Sequence, residues 1–179
     1  MKRVRSLRGE ATTEDYYCTP PFAVEALLPL LPPEICAWEP TFGAGAITNV
    51  LEAAGHTTIK SDFFPKDTFP CQKLDFLHEV PEKRYDWIVF NPPFSQLADF
   101  LRRACELDKP FAMLCPIYTF ETPARQQLIK EFRLSVLMLK RRCNFRKANG
   151  HEKKGTPFLS VWILKHPDYD SKILFQESL

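Results

Sequence analysis

The sequence lacks the patterns expected of a metal-binding, secreted or membrane protein. Its six cysteines are scattered singly, without a Cys-x-x-Cys pair or a histidine spacing that suggests zinc, so no metal is expected. The basic N-terminus is not followed by the apolar run of a secretory signal, and no apolar run is long enough to span a bilayer. The sequence therefore predicts a cytoplasmic protein with reduced thiols and no membrane contact.

Neither sign of charge dominates the composition. The net charge is only +2, so the total indicates no particular partner, but the basic residues are unevenly distributed. Four of them lie within residues 1–14, which we expect to form a flexible arm. A second basic group favours a nucleic-acid contact, with a solvated charge run as the alternative. Its candidate binding residues are Arg141, Arg142, Arg146, Lys147, Lys153 and Lys154.

Short apolar runs and helical patterns alternate through residues 15–179, without an internal repeat. This alternation predicts a single domain with a doubly wound, mostly parallel α/β sheet. The segments left over between the predicted elements are too short for a separate target-recognition domain. The predicted strands are residues 35–39, 57–61, 85–90, 111–115, 134–139 and 156–164.

The most informative stretch is the strand at 85–90 with the four residues that follow it. The strand pattern stops at Asn91, because Pro92 and Pro93 have no backbone N–H for further pairing. Pro92 also disfavours a helical conformation for Asn91. An amide side chain and the aromatic Phe94 therefore follow the end of a strand, which is where open α/β sheets bind ligands.

These groups suit chemistry on a planar amine, which is weakly nucleophilic because its lone pair is delocalised. The amide oxygen of Asn91 and the carbonyl oxygen of Pro92 can each accept one amine hydrogen, which favours a pyramidal nitrogen with its lone pair aimed at an electrophile. Stacking of a base on Phe94 contributes roughly 1–3 kcal/mol. The alternative interpretation is a strand followed by a Pro-Pro turn and a core phenylalanine.

The segment Asn91-Pro92-Pro93-Phe94 resembles the catalytic motif of class I amino-methyltransferases, in which Asp or Asn is followed by Pro-Pro and an aromatic residue. The resemblance implies S-adenosylmethionine as methyl donor and direct transfer to a planar amine, with Pro93 as part of the catalytic loop. It extends over about residues 15–164. It implies a Rossmann-like, seven-stranded sheet with helices on both faces and the last strand antiparallel.

A strand, a glycine turn and a helix follow one another between residues 35 and 54. Glycines let a backbone approach a ligand closely, although the turn lacks the Gly-x-Gly-x-x-Gly phosphate cradle. It resembles the class I cofactor motif, whose ligand has no pyrophosphate. The resemblance implies that Glu39 faces the cationic end of the cofactor and that Pro40, Gly43 and Gly45 line its binding loop.

Further cofactor contacts are predicted along the chain. Asp62 ends the second strand roughly twenty residues after the glycine turn, where an acidic residue can bind ribose hydroxyls; a cap or turn role is the alternative. Either Phe63 or Phe64 is placed to pack on the adenine ring. Asp75 and Phe76 resemble the family's third cofactor segment, with a helix cap as the alternative for Asp75.

Residues 17–20 resemble the Tyr-x-Thr-Pro motif of DNA adenine methyltransferases, which lies beside the methionine end of the cofactor. The resemblance implies that Tyr17 and Thr19 contact the cofactor. Local chemistry offers another role for Thr19, because it can cap the helix that starts at the following prolines. If Thr19 caps that helix, its presence does not require a bound cofactor.

Together these features predict a methyltransferase acting on adenine N6 in nucleic acid, DNA more than RNA, with similarity to small phage-type enzymes. One alternative is methylation of RNA bases or of protein glutamine, since the same motif serves those substrates. Another is a catalytically silent member of the fold that binds nucleic acid or a partner enzyme. Because no recognition domain is expected, target selection requires loose specificity, the basic segment or a partner protein.

Overall fold

The computed structural model describes residues 18–145 and 157–176. The predicted arm, Tyr17 and four of the basic candidates, namely Arg146, Lys147, Lys153 and Lys154, lie outside these residues. Twelve elements are named here. The helices are α1 (Pro21–Glu25), α2 (Ala46–Ala53), α3 (Leu97–Glu106) and α4 (Pro123–Glu131), and the strands are β1 (Cys36–Glu39), β2 (Thr57–Asp62), β3 (Gln72–Lys73), β4 (Trp87–Phe90), β5 (Phe111–Pro116), β6 (Ser135–Met138), β7 (Ser160–Lys165) and β8 (Ile173–Phe175).

The eight strands form one mixed sheet in the order β3-β2-β1-β4-β5-β7-β6-β8. Most neighbouring strands are parallel, whereas β7 is antiparallel to both β5 and β6. The chain first builds outward from β1 through β2 to β3 and then returns to place β4 on the other side of β1. The strand order therefore reverses between β1 and β4, which is where ligands bind in open α/β sheets.

Alternate residues of the central strands belong to two different hydrophobic clusters, as expected for strands buried on both faces. One cluster joins Ala37 and Val89 to residues of α1 and α2. The other joins Trp38 and Ile88 to residues of α3. The second cluster is rich in aromatic rings, and the stacked pair Phe76 and Phe100, 5.2 Å apart between centroids, lies within it.

The mostly parallel α/β sheet predicted from the sequence is confirmed, and the strand predicted at 156–164 is the antiparallel one. The strand number that the resemblance implies is wrong, because the described residues form eight strands instead of seven. Six of the eight strands match the ranges predicted from apolar runs, and the two that do not are short: β3, with only two residues, and β8, with three. No helix in the described part of the chain is long and apolar enough to cross a membrane.

The helix predicted to start at the prolines after Thr19 is short. Residues 21–25 form α1, and the chain then tightens into a 3-10 turn at Leu28–Leu30. Trp162 Nε1 donates a hydrogen bond of 2.7 Å to the Ala23 carbonyl, so β7 holds this segment directly. Thr19 does not cap α1, because Pro20 occupies the N-cap position and no side chain bonds there.

Candidate active site

The loops that follow β1 and β4 meet at the reversal of strand order. These strands pair in parallel through Ala37 with Trp87 and Trp38 with Ile88. The backbone N–H of Asn91, just beyond β4, donates to Thr41 Oγ1 in the loop after β1 at 3.2 Å. The predicted catalytic loop and the predicted cofactor loop are therefore hydrogen-bonded neighbours.

The loop after β1 is compact around its glycines. Gly45 adopts φ +76°, in the left-handed region, and an added Cβ would lie 2.9 Å from Cε2 of Phe42. The Gly45 N–H also donates to the Phe42 carbonyl at 2.8 Å. Only glycine combines this backbone conformation with so close an approach to Phe42. At this position the loop therefore presents backbone and no side chain. Pro40, before it, is buried.

Glu39 is almost completely buried, with 2% of its surface exposed. Its Oε2 accepts the backbone N–H of Thr48 at 3.0 Å, which ties the end of β1 to the first turn of α2. Burial raises the pKa of this carboxyl well above its ordinary value, the bonds from Thr48 oppose the shift, and the nearby Asp62 adds to it. A cation bound nearby would offset this desolvation.

Asp62 bridges two loops through both of its carboxylate oxygens. Oδ2 accepts the Gly43 N–H and Oδ1 accepts the Phe64 N–H, each at 2.9 Å. The side chain therefore stabilises the predicted cofactor loop directly. The position of Asp62 at a strand end in the sequence did not indicate this role. A carboxylate has about four acceptor positions, so these two bonds leave capacity for a hydroxyl donor.

Cys71 lies close to this acidic pair, a position that the sequence analysis did not single out. Burial, followed by the charges of Asp62 and Glu39, raises the pKa of its thiol to about 11. The two carboxylates therefore act on a common region between the β1 and β2 loops, where a cationic ligand would be favoured. No local sequence pattern points to Cys71, because its proximity depends on the connection between β2 and β3.

Asn91 is held from two separate segments of the chain. In addition to the backbone bond to Thr41, its side-chain Nδ2 donates to Thr19 Oγ1 at 3.1 Å. Thr19 is 3% exposed and precedes Asn91 by 72 residues. The contact joins Thr19 to the predicted catalytic loop, whereas the sequence predicted only a cofactor contact or a helix cap for Thr19.

Phe94 begins a 3-10 turn and is only partly buried. Phe145 and Phe158 meet its ring edge-on, both with centroids 5.8 Å away. Tyr118 in turn meets Phe158 at 5.4 Å. In sequence, Phe145 precedes the basic segment 146–156 and Phe158 follows it. Residues before and after that segment therefore both contact Phe94, the predicted base-stacking residue.

The other three predicted cofactor contacts lie in the core, in a turn and in an aromatic pair. Phe76 is a core residue, 2% exposed among Trp38, Phe90 and Phe100. Asp75 caps a turn, because its Oδ1 accepts the Leu77 N–H at 3.1 Å. Phe63, partly buried, contacts Phe64 edge-on with centroids 4.5 Å apart.

The two prolines of the predicted catalytic motif and the two described basic candidates differ in exposure. Pro92 is buried and Pro93 is partly exposed. Arg141 and Arg142 are exposed, and the Arg141 guanidinium lies 4.1 Å from the ring centre of Phe22 on α1. Within the described residues, no three His, Cys, Asp or Glu side chains are grouped as metal ligands would be.

Solved methyltransferase structures share this fold. A predicted O-methyltransferase from Agrobacterium tumefaciens is 11% identical with a TM-score of 0.55, over 89% of this chain and 86% of its own. A protein described as a type I restriction modification subunit from Vibrio vulnificus is 12% identical at 0.60, over 94% and 49%. A dimethyladenosine transferase from Plasmodium falciparum is 11% identical at 0.57, over 86% and 63%.

These similarities show a Rossmann-like methyltransferase fold. This chain spans about half the length of the Vibrio protein and less than two thirds of the Plasmodium one. No protein-family profile matches the sequence, and no curated protein matches it.

Proposed function

We propose that the protein is an S-adenosylmethionine-dependent methyltransferase that methylates adenine N6 in nucleic acid, with DNA favoured over RNA. The observation that carries the proposal is the position of Asn91-Pro92-Pro93-Phe94. This motif follows β4 at the reversal of strand order, and Asn91 bonds directly to the loop after β1. The amine-binding motif and the candidate cofactor loop are therefore adjacent.

The residues around the β1 and β2 loops fit the cofactor. S-adenosylmethionine, when bound, supplies an electrophilic methyl group on a cationic sulfonium. The acidic pair Glu39 and Asp62 favours a cation there, and both raise the pKa of Cys71. The backbone at Gly43 and Gly45 provides the close approach that a ligand without pyrophosphate requires, and Asp62 retains capacity to accept a ribose hydroxyl.

On the acceptor side, the chain binds and orients the amine. Asn91 Oδ1 and the Pro92 carbonyl oxygen accept its two hydrogens, which concentrates its lone pair on nitrogen. Phe94 presents an aromatic ring for the base, and the rings of Phe145 and Phe158 support it at right angles. In duplex DNA the base must first leave the stack, at a cost of a few kcal/mol.

A nucleic-acid acceptor is supported by the placement of the basic group. Arg141 and Arg142 are exposed, and Phe145, a few residues later, contacts Phe94. Phosphate contacts at this position would orient a strand toward Phe94 without reading its sequence. The similarity to a restriction modification subunit and a dimethyladenosine transferase agrees with such an acceptor. We further propose that target specificity is loose or is supplied by a partner protein that selects the target.

The test is to incubate the protein with S-adenosylmethionine labelled in the methyl group and with separate pools of unmethylated DNA, RNA and protein. Digestion of the labelled pool then identifies the methylated nucleoside or residue. The proposal expects N6-methyladenine, mainly from DNA. Label in RNA or in glutamine would show that the substrate is RNA or protein instead of DNA. Cofactor binding without any label would indicate a catalytically silent member of the fold.

The matched variant is Asn91→Ala, compared with an alanine substitution at the exposed Ser95. We expect Asn91→Ala to abolish methyl transfer and to leave cofactor affinity, measured by calorimetry, close to that of the wild type. The reason is that the substitution removes an acceptor for the amine while the loop after β1 stays in place. Full activity of Asn91→Ala would show that the motif does not take part in the reaction.

A further inference from the structure

A contact between Arg141 and Phe22 joins the basic group to the first helix. Arg141 is exposed, and its guanidinium carbon lies over the ring of Phe22, 4.1 Å from the ring centre. A guanidinium over the face of an aromatic ring is attracted by the electron density of that face. The contact therefore restrains a long side chain that would otherwise sample many rotamers in solvent.

The backbone on both sides of Arg141 is held by the rest of the protein. Before it, the Lys140 N–H donates to Gln176 Oε1 at 3.2 Å. After it, Cys143 and Phe145 are completely buried, whereas Arg141 itself points to the surface. The segment is therefore anchored at two points, and the Phe22 ring restrains a side chain whose backbone is already placed.

The topology of the sheet places Arg141 at the same edge as the predicted catalytic loop. β5 is parallel to β4, and β7 is antiparallel to both β5 and β6, so β6 runs in the direction of β4. Arg141 follows the end of β6, as Asn91 follows the end of β4. Residues that follow the carboxyl ends of parallel strands lie at the edge of the sheet where ligands bind.

Two contacts bring the Arg141–Phe22 pair close to the predicted acceptor side. Phe22 lies three residues after Thr19, which is hydrogen-bonded to the predicted catalytic loop at 3.1 Å. Phe145 lies four residues after Arg141, and its ring meets Phe94 with centroids 5.8 Å apart. Because an extended residue spans at most about 3.6 Å, the Cα atoms of Arg141 and Phe145 are within about 14 Å of each other. On one DNA strand this distance corresponds to about four nucleotides.

We propose that Arg141 binds a backbone phosphate of the DNA strand that carries the acceptor base, and that Phe22 positions the guanidinium for this contact. The inference rests on the proposed function and adds to it a residue pair with a defined geometry. A phenylalanine ring offers no oxygen acceptor, so the five N–H donors of the guanidinium keep their capacity for phosphate oxygens. Because Phe22 restrains the side chain before binding, less rotamer entropy is lost when the phosphate binds.

The test compares variants of the pair with a control at the opposite edge of the sheet. Arg141→Ala removes the charge, Phe22→Leu keeps the charge and removes the ring, and Phe22→Tyr retains a ring. Lys172→Ala is the matched control, because Lys172 is exposed and lies over the ring of Tyr169, 5.7 Å from its centre. Lys172 precedes β8, which is parallel to β6, so it lies away from the predicted site. Thermal unfolding checks that each variant folds.

The readout is binding of a fluorescently labelled DNA duplex, measured by anisotropy over a range of salt concentrations. In Arg141→Ala the slope of log affinity against log salt should become about 0.9 less steep, as expected for the loss of one phosphate contact. Lys172→Ala should not change the slope. Phe22→Leu should weaken binding roughly twofold to fivefold at unchanged slope, since the charge remains and only its support by the ring is lost. Phe22→Tyr should bind like the wild type, and an unchanged slope in Arg141→Ala would refute the phosphate contact.

A double variant separates positioning by Phe22 from packing. Phe22 also packs against the hydrophobic cluster that includes α1, so its replacement changes that packing as well. If Phe22 acts through Arg141, Phe22→Leu should cost no further affinity once Arg141 is alanine. Equal losses in both backgrounds would overturn the positioning role. Arg141→Lys tests the same point without changing Phe22, because lysine keeps the charge and lacks the planar guanidinium; wild-type affinity of this variant would refute the need for a positioned guanidinium.

Binding and methylation together separate the inference from the proposed function. If Arg141→Ala has the reduced slope and the wild type labels no pool, the phosphate contact holds and the reaction is refuted. If the wild type methylates DNA and every Arg141 variant binds DNA as it does, the reaction holds and the role of Arg141 is refuted. Label found only in protein, without DNA binding, would overturn both.

Discussion

Replacing Gly45 by alanine tests the proposed cofactor loop, because the chain contains a matched second glycine. Gly45 and Gly55 both have positive φ, +76° and +93°. Their surroundings differ: a Cβ at Gly45 would meet the Phe42 ring at 2.9 Å and Thr48 Oγ1 at 3.3 Å, whereas a Cβ at Gly55 would meet nothing within 4 Å. The pair separates backbone strain from steric conflict.

Both alanine variants place a Cβ in the left-handed region, which costs about 1–2 kcal/mol. Gly45→Ala must also displace Phe42, a buried ring, and overpacking of this kind costs about 1–3 kcal/mol more. For a chain of this length each kcal/mol lowers Tm by about 2–4 °C. Gly55→Ala should therefore lower Tm by several degrees, and Gly45→Ala by a clearly larger amount.

The two variants should differ more in ligand binding than in stability. Phe42 lies in the loop after β1, so its displacement moves backbone that we propose faces the cofactor, while Gly55 lies beyond the opposite end of α2. Calorimetric titration with S-adenosylmethionine should show at least a tenfold weaker Kd, equivalent to about 1.4 kcal/mol, for Gly45→Ala alone. Equal Tm losses in both variants, or equal affinities, would refute this reasoning.

Two further substitutions test the acidic pair. Burial raises the pKa of Glu39, so its contribution to stability is complete below the ordinary carboxyl pKa and is lost as pH rises through the raised value. In Glu39→Gln, the free energy of unfolding measured with denaturant should depend less on pH. At neutral pH this variant should be more stable than the ligand-free wild type. Parallel pH profiles of the two proteins would contradict this. Asp62→Asn should cost about 1–3 kcal/mol of unfolding free energy, because an amide has one oxygen for two backbone N–H donors. The exposed Asp67→Asn is its control, and equal losses would argue against the bridge.

The mostly parallel sheet could be predicted because its signals are local. A buried parallel strand is a continuous apolar run, and the breaks at Asn91 and after Glu39 are marked by prolines and glycines. The eighth strand could not be predicted in this way, since Ile173–Phe175 is only three residues long and pairs with β6, far earlier in the chain.

The contacts that complete the site depend on residues distant in sequence. Thr19 precedes prolines at the start of a helix, so local chemistry predicted a cap, but its observed partner is 72 residues away. The edge-on contacts of Phe145 and Phe158 with Phe94 likewise have no signature in sequence spacing. Residue types indicated the chemistry, and the sheet order determined which of these residues meet.

The buried bond between Trp162 and Ala23, residues 139 positions apart, has a consequence for folding. Contacts of such long separation form slowly because a large loop must close. The first five strands can pair before β7 is inserted between β5 and β6, so an intermediate with the cofactor loop in place can precede docking of the Thr19 segment. If the proposed function holds, cofactor binding should recover before methyl transfer during refolding.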